Sequence, residues 1–333
     1  MAEYRYRDAL RRALYEEMKA DERVFIMGED VGAYGGAYQV TVGLLAEFGE
    51  ERVRDTPLSE AIIVGAALGA AMVGGRPVAE IMYVDFAALA MDQIVNQAAK
   101  IHYMFGGQFR VPMVLRTQQG TGRGAGAQHS QSLESWFVHV PGLKVIAPAT
   151  PRDAYGLLRA AIHDDNPVIF LEHKGLYAVK GEVEDEPFVL PIGQAEVKRQ
   201  GQDVTIITYS RMLGLALEVA EQLTSQGVSA EVVDLRTLKP LDYATLEESA
   251  RKTRRVVVLH EAVKIGGLGA EISAELSQRL FGVLAAPIVR IGAEDVPLPA
   301  NLELEKLVIP DAQRLTAAVE AVMRYQPMPT NGA

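Results

Sequence analysis

The sequence contains no cysteine, which excludes disulfides, thiolate nucleophiles and cysteine-held zinc or iron–sulfur centres. Basic residues are in deficit: 33 Lys and Arg face 43 Asp and Glu, for a net charge of −10. Nucleic-acid binding relies on basic surface to neutralise phosphates, so that class of partner is disfavoured. An acidic balance serves solubility, and it also suits a basic protein partner through electrostatic steering. No apolar run is long enough for a membrane span. The longest, Ala61 to Val73, falls well short of the roughly 20 residues a bilayer requires. Its Gly and Ala content predicts a tightly packed, buried helix instead. The first residues, Met1 to Arg23, mix Arg with Glu and Asp, unlike a secretory or transit leader, so the expected location is cytoplasmic. GxxxxGK[ST], HExxH and GxSxG are also absent, which leaves the phosphate-loop, zinc-protease and nucleophile-elbow chemistries without their motifs.

What is present is a chain of 333 residues, 49% hydrophobic, long enough for two domains with separate cores. Val- and Ile-rich runs at Val24–Met27, Pro77–Ile81, Pro112–Arg116, Lys144–Ala147 and Val168–Leu171 read as buried strands. Helical patterns lie between most of them, the first over Tyr6–Met18 with Ala9, Leu10, Ala13, Leu14 and Met18 on one face. The alternation predicts an α/β architecture with a largely parallel sheet. Lys180 to Pro191 breaks it: the stretch is acidic, carries two prolines and has no helical period, so it reads as interdomain linker. The alternation resumes with strands at Val204–Thr208, Ala230–Val233, Val256–His260 and Ile288–Ile291, and helices around 213–226, 243–252 and 269–281. The expected division is a first domain over 1–185, a linker over 186–198, a second domain over 199–326 and a frayed tail over 327–333.

Asp55-Thr-Pro-Leu-Ser-Glu60 is the most informative segment. Thr56 or Ser59 can cap a helix and Pro57 suits a first turn. Glu60 then opens a helix made of Ile, Val, Ala and Gly. It either offsets the helix dipole or, with an apolar surround raising its pKa, relays a proton. Gly120-Thr-Gly-Arg-Gly-Ala-Gly126 does not fit GxGxxG. It reads as a sharply turned loop leading into Gln128-His129-Ser130, and that placement moves His129 from a core histidine towards function. Phe86 can stack on a planar ring or fill the core. Gly266-Gly-Leu-Gly269 can seat an anion, although a tight strand-to-helix turn accounts for it better.

Gly28-Glu-Asp-Val31, Asp55–Glu60, Asp92-Gln-Ile94, Gln128-His-Ser-Gln131, Pro141–Val145, Asp164-Asp-Asn-Pro167 and Asp234-Leu-Arg-Thr237 together resemble the beta subunit of the thiamine-diphosphate-dependent 2-oxo acid dehydrogenases. The resemblance runs from about Tyr4 to Val322 with the motifs in the family's order. It implies a pyrimidine-binding domain followed by a transketolase C-terminal-like domain. It also implies a two-alpha two-beta assembly, in which the alpha subunit holds Mg²⁺ and the diphosphate through a Gly-Asp-Gly motif that this sequence lacks. Glu60 would hydrogen-bond the pyrimidine ring nitrogen opposite the amino group and so activate the cofactor. Leu58, Met82 and Phe86 would wall the aminopyrimidine, and His129 would serve the substrate and the acyl-transfer route. Met113, Ala161, Ile162, Asp164 and Asn166 match positions that hold potassium in some members. Glu294 and Asp295 are candidate contacts to a basic domain of the dihydrolipoyl acyltransferase core. Pyruvate is the expected 2-oxo acid, with acetoin or branched-chain 2-oxo acids as alternatives. A non-catalytic scaffold is the reading from a different class.

Overall fold

The computed structural model describes residues 1–326, so the expected frayed tail over 327–333 lies outside the described residues. Two compact units divide the chain. The first comprises Met1–Gly193 with two short returns, Arg236–Pro240 and Leu298–Leu302, and the second takes the remainder.

The first unit opens with strand β1 (Ala2–Arg5) and helix α1 (Tyr6–Ala20), followed by β2 (Val24–Gly28), α2 (Leu44–Phe48), β3 (Val53–Asp55), α3 (Glu60–Met72) and β4 (Arg76–Ile81). A 3-10 helix over Val84–Ala90 and a π-helical turn over Asp92–Ala98 lead to α4 (Ile101–Met104). The unit continues through β5 (Val114–Gln119), α5 (Glu134–Val138), β6 (Lys144–Ile146), α6 (Pro151–His163), β7 (Val168–His173) and β8 (Lys180–Val183). The predicted face of α1 is buried, and it packs against α6 through Leu10, Leu14, Tyr155 and Leu158. Thr150 caps α6 by accepting from the Asp153 N–H, with Pro151 in the first turn, where a missing N–H costs nothing.

The main sheet has seven strands. Strands β6, β7, β5, β4, β2 and β3 run parallel, and β12 (Thr237–Lys239) adds antiparallel to β6 at the edge. Because β7, β5, β4, β2 and β3 lie side by side, the loops after their carboxyl ends share one edge, where parallel α/β sheets place their sites. Three departures from the sequence reading have physical causes. The strand expected from Pro112 begins at Val114 and runs on to Gln119. Proline lacks the ladder donor, and polar Arg116, Thr117, Gln118 and Gln119 are buried instead of ending the strand. The stretch from Lys180 is not free linker at its start: β8 pairs antiparallel with β1, and Arg12 donates to the carbonyls of Glu184 and Asp185. Helix α3 is only half buried. Ile63, Val64, Ala67, Leu68 and Ala71 face inward, while Ile62 is 67% exposed and Val73, just past its end, 87% exposed. An apolar composition all round hid that distinction, because nothing in it separates a core face from one left for a partner.

The second unit is a five-stranded sheet in the order β14 (Val289–Ala293), β13 (Val256–Val263), β10 (Val204–Thr208), β11 (Ala230–Asp234), β9 (Glu196–Arg199). All pairings are parallel except that of β9 with β11. Helices α7 (Met212–Thr224), α8 (Tyr243–Thr253), α9 (Leu268–Arg279), α10 (Leu302–Val308) and α11 (Ala312–Arg324) complete the element order. Packing explains Gly267 and Gly269, and a left-handed φ of +65° explains Gly266. A Cβ at Gly267 or Gly269 would come within 2.6 or 2.8 Å of the buried His260 ring.

Candidate active site

Glu60 is the first residue of α3, so its carboxylate sits by the helix N-terminus, where negative charge is favoured. It is partly exposed and accepts no hydrogen bond from any described residue. Beside it lies Glu29, the residue after β2. Glu29 is 6% exposed and its Oε1 has no hydrogen-bond partner among the described residues. Burial first, then the negative charges of Glu60, Asp30 and Glu80, push the Glu29 carboxyl up to about 7. Desolvation and like charge both disfavour the ionised form. The sequence carries Glu29 openly in Gly28-Glu29-Asp30-Val31, but no residue beside it in that string gives away its burial.

The turn after β4 brings Met82, Tyr83 and Phe86 to the same edge, and α3 packs against the 3-10 helix that carries Phe86. Tyr83 adopts φ +72° and ψ 133°, a backbone region that costs a non-glycine residue about 1–3 kcal/mol and persists only where its surroundings enforce it. Its N–H donates to Gln118 Oε1 at 3.0 Å. Gln118 in turn donates to Glu80, part of a buried charge cluster. There Arg116 donates to Glu80 at 2.7 Å and to both oxygens of Glu172 at 2.6 and 2.9 Å, and Tyr177 donates to Glu172 at 2.6 Å. Burial opposes the Arg116 charge, but Glu172 and Glu80 more than offset it and hold the guanidinium above its usual range.

His129 arrives at the end of the glycine-rich loop after β5. That loop can turn back because Gly120, at φ +87°, lies against the His173 ring, which a Cβ would meet at 1.9 Å. Its return is pinned three ways. Gly120 N–H donates to the Gln131 carbonyl at 2.9 Å, Gln131 Nε2 donates to Asp85 Oδ1 at 2.8 Å, and Lys174 donates to the His129 carbonyl. The His129 ring meets Tyr83 at 5.0 Å between centroids and Phe86 at 5.2 Å, edge-on to both. The structure thus brings His129 and Phe86 together and places Met82 on the same turn. Leu58 is 81% exposed, on the chain entering α3. Tyr83, with Tyr38 stacked on Tyr177 behind it at 4.5 Å, escaped the sequence reading because aromatic residues in a turn carry no periodic signal.

The positions matched to potassium form a different cluster. The Ile162 carbonyl accepts from Arg76 Nη1 at 2.8 Å, and the Met113 carbonyl accepts from the Val168 N–H at 3.0 Å. The Asp164 carboxylate accepts from Lys144 and, at 2.9 Å, from Asn166 Nδ2. Ala161 lends its carbonyl to the Asp164 N–H at 3.3 Å. The chain's own cations already reach two of these oxygens, Arg76 that of Ile162 and Lys144 that of Asp164, and backbone N–H groups take those of Met113 and Ala161. In the second unit Glu294 pairs with Arg314 at 3.0 Å. Both line a pocket of about 500 Å³ with Asp295, Lys264 and Arg290.

An unpartnered carboxylate, a neighbouring carboxyl pushed up to about 7, and half-buried aromatic and thioether side chains suit an aminopyrimidine ring. These residues fit the pyrimidine half of thiamine diphosphate. The class this defines is a transketolase-like pair of domains with a candidate site on the carboxyl edge of the first sheet. Residues 2–180 match the transketolase pyrimidine-binding domain and residues 193–315 the transketolase C-terminal domain. The chain is 49% identical over 327 residues to the pyruvate dehydrogenase E1 component subunit beta-2, mitochondrial, of Oryza sativa, covering 97% of this chain and 87% of that one. It is 47% identical to the pyruvate dehydrogenase E1 component subunit beta of Rhizobium meliloti, covering 97% and 70%. A solved split-gene transketolase, described as an inactive beta4 tetramer, superposes with TM-score 0.79 at 27% identity over 96% of this chain and 97% of that one. The chain belongs to the family of pyruvate dehydrogenase E1 beta subunits.

Proposed function

We propose that this chain is the beta subunit of the decarboxylating component of a pyruvate dehydrogenase complex, supplying the pyrimidine half of a site that an alpha subunit completes. The observation that carries the reading is the free Glu60 carboxylate on the sheet's carboxyl edge with the buried Glu29 carboxyl beside it. The reaction is oxidative decarboxylation of pyruvate and reductive acylation of the lipoyl group on the acyltransferase core. The names of the relatives support it. When bound, thiamine diphosphate supplies the carbon nucleophile and the electron sink.

Each residue has a task in that reaction. Glu60 shares a proton with the pyrimidine ring nitrogen opposite the amino group. Glu29, protonated up to about pH 7, keeps a second proton beside it. Leu58, Met82 and Phe86 wall the ring. His129 orients the 2-oxo acid or the incoming lipoyl group and moves a proton at the substrate oxygen. The proposed assembly is two alpha and two beta chains, with Mg²⁺ and the diphosphate held by alpha. The exposed apolar side of α3, which begins at Glu60 itself, is the surface that alpha covers. The inactivity ascribed to the solved beta4 transketolase chain suits a beta subunit that needs its partner.

Docking of the acyltransferase falls to the second unit, where Glu294 is engaged by Arg314 and Asp295 is the carboxylate left to meet a basic partner. A potassium ion would have to compete with Arg76 and Lys144 for its oxygens, and identical melting in potassium and sodium salts would retire it. The proposed compartment is the cytoplasm, as for bacterial subunits. Acetoin and branched-chain 2-oxo acids remain the second substrate reading, and a scaffold role has no use for a free Glu60. The deciding experiment is co-expression with an alpha-type chain carrying Gly-Asp-Gly, followed by a substrate screen with an artificial electron acceptor. Pyruvate should give the highest kcat/KM; preference for acetoin or a branched acid would overturn the substrate assignment.

A further inference from the structure

We propose that Tyr83 is a positioning residue that fixes the orientation of the His129 imidazole at the substrate. The inference rests on the reading that His129 works on the substrate or lipoyl group.

Two independent restraints meet on the Tyr83 ring. The first comes through its backbone. The left-handed φ of +72° is held by the hydrogen bond from its N–H to Gln118 Oε1, and Gln118 is anchored on Glu80 in the buried Arg116 cluster. The second comes through the ring. Tyr38 meets it edge-on at 6.3 Å, and Tyr38 is itself stacked on Tyr177, whose hydroxyl is bound to Glu172 of the same cluster. A rigid charged core therefore sets where the Tyr83 ring stands, from two directions.

His129 has no comparable restraint of its own. No hydrogen bond joins its imidazole to any described residue, and its ring contacts are the edges of Tyr83 and Phe86. Lys174 links the two neighbours: its ammonium lies 5.0 Å from the Tyr83 ring centre and it donates to the His129 carbonyl. The backbone of His129 and the ring that faces its imidazole are thus fixed by one side chain. An imidazole left to rotate about its side-chain torsions would spend little time aimed at the reacting atom, and misplacement of that kind costs rate more than binding.

The test uses the complete two-chain enzyme and pyruvate. Tyr83→Ala should lower kcat by about tenfold to a hundredfold, with KM for pyruvate changed far less. Tyr83→Phe, which keeps the ring, should restore turnover. In the double variant Tyr83→Ala with His129→Ala, turnover should be no lower than in His129→Ala alone, because the two residues act through one group. Full turnover in Tyr83→Ala, or losses that simply multiply in the double variant, would overturn the positioning role while leaving His129 in place. Full turnover and full lipoyl acylation in His129→Ala would instead remove the reading on which the inference rests, and the inference with it. Should Tyr83→Ala fail to assemble, Tyr83→Leu carries the same kcat-against-KM comparison with the volume largely retained.

Discussion

Glu29 and Glu60 form a pair in which one carboxyl is largely buried and the other is partly exposed. The buried member has its pKa raised to about 7, so its effect on stability follows from proton linkage. Between the ordinary glutamate value and about 7 the folded chain keeps a proton that the unfolded chain has lost. Stability therefore falls as pH rises through that window, and the full cost is present above it. Glu29→Gln should raise the melting temperature more at pH 8 than at pH 5, and an equal shift at both would show that Glu29 is ionised throughout. At this scale motifs lead to the proposed site residues: Asp55–Glu60 to Glu60 and Gln128–Gln131 to His129. Tyr83 and the burial of Glu29 were not legible, because each depends on a backbone turn or a desolvated site that strands distant in sequence create together.

Among the elements, β5 and α3 show why alternation alone stops short. β5 sits between β4 and β7 and buries Arg116, Thr117, Gln118 and Gln119, residues that a hydropathy pattern assigns to a surface. Their burial is tolerated because Arg116 is paired with Glu80 and Glu172, which come from the flanking strands. Arg116→Met should destabilise the chain by roughly 3–5 kcal/mol, since it leaves two buried carboxylates unpaired. Urea titration would measure it, and a loss near zero would mean the cluster is dispensable. The strands built on continuous Val and Ile runs were foreseen to within a few residues because such runs are what a two-sided parallel sheet requires, whereas β1, β3, β8, β9 and β12, which lack them, were not foreseen. Helix α3 was foreseen as a helix but not as a two-faced one. Ile62→Glu, on its open side, should leave the chain folded and abolish co-purification with the alpha subunit. Retention of the complex would place the interface elsewhere.

At the level of the whole molecule, the proposed function divides between the two units: a half-site on the first and a docking surface for the acyltransferase on the second. If Asp295 meets a basic domain there, association should weaken steeply as salt rises past the range where charges a Debye length apart still act. Binding that is indifferent to salt would argue for an apolar contact. The proposed half-site is tested by the pyruvate-dependent reduction of an artificial electron acceptor by the co-expressed alpha and beta chains, wild type against Glu60→Gln. The account predicts that neither chain turns over alone, that the variant assembles as the wild type does, and that its rate falls by about a hundredfold or more. A correctly assembled Glu60→Gln enzyme running within a few-fold of the wild-type rate would contradict it.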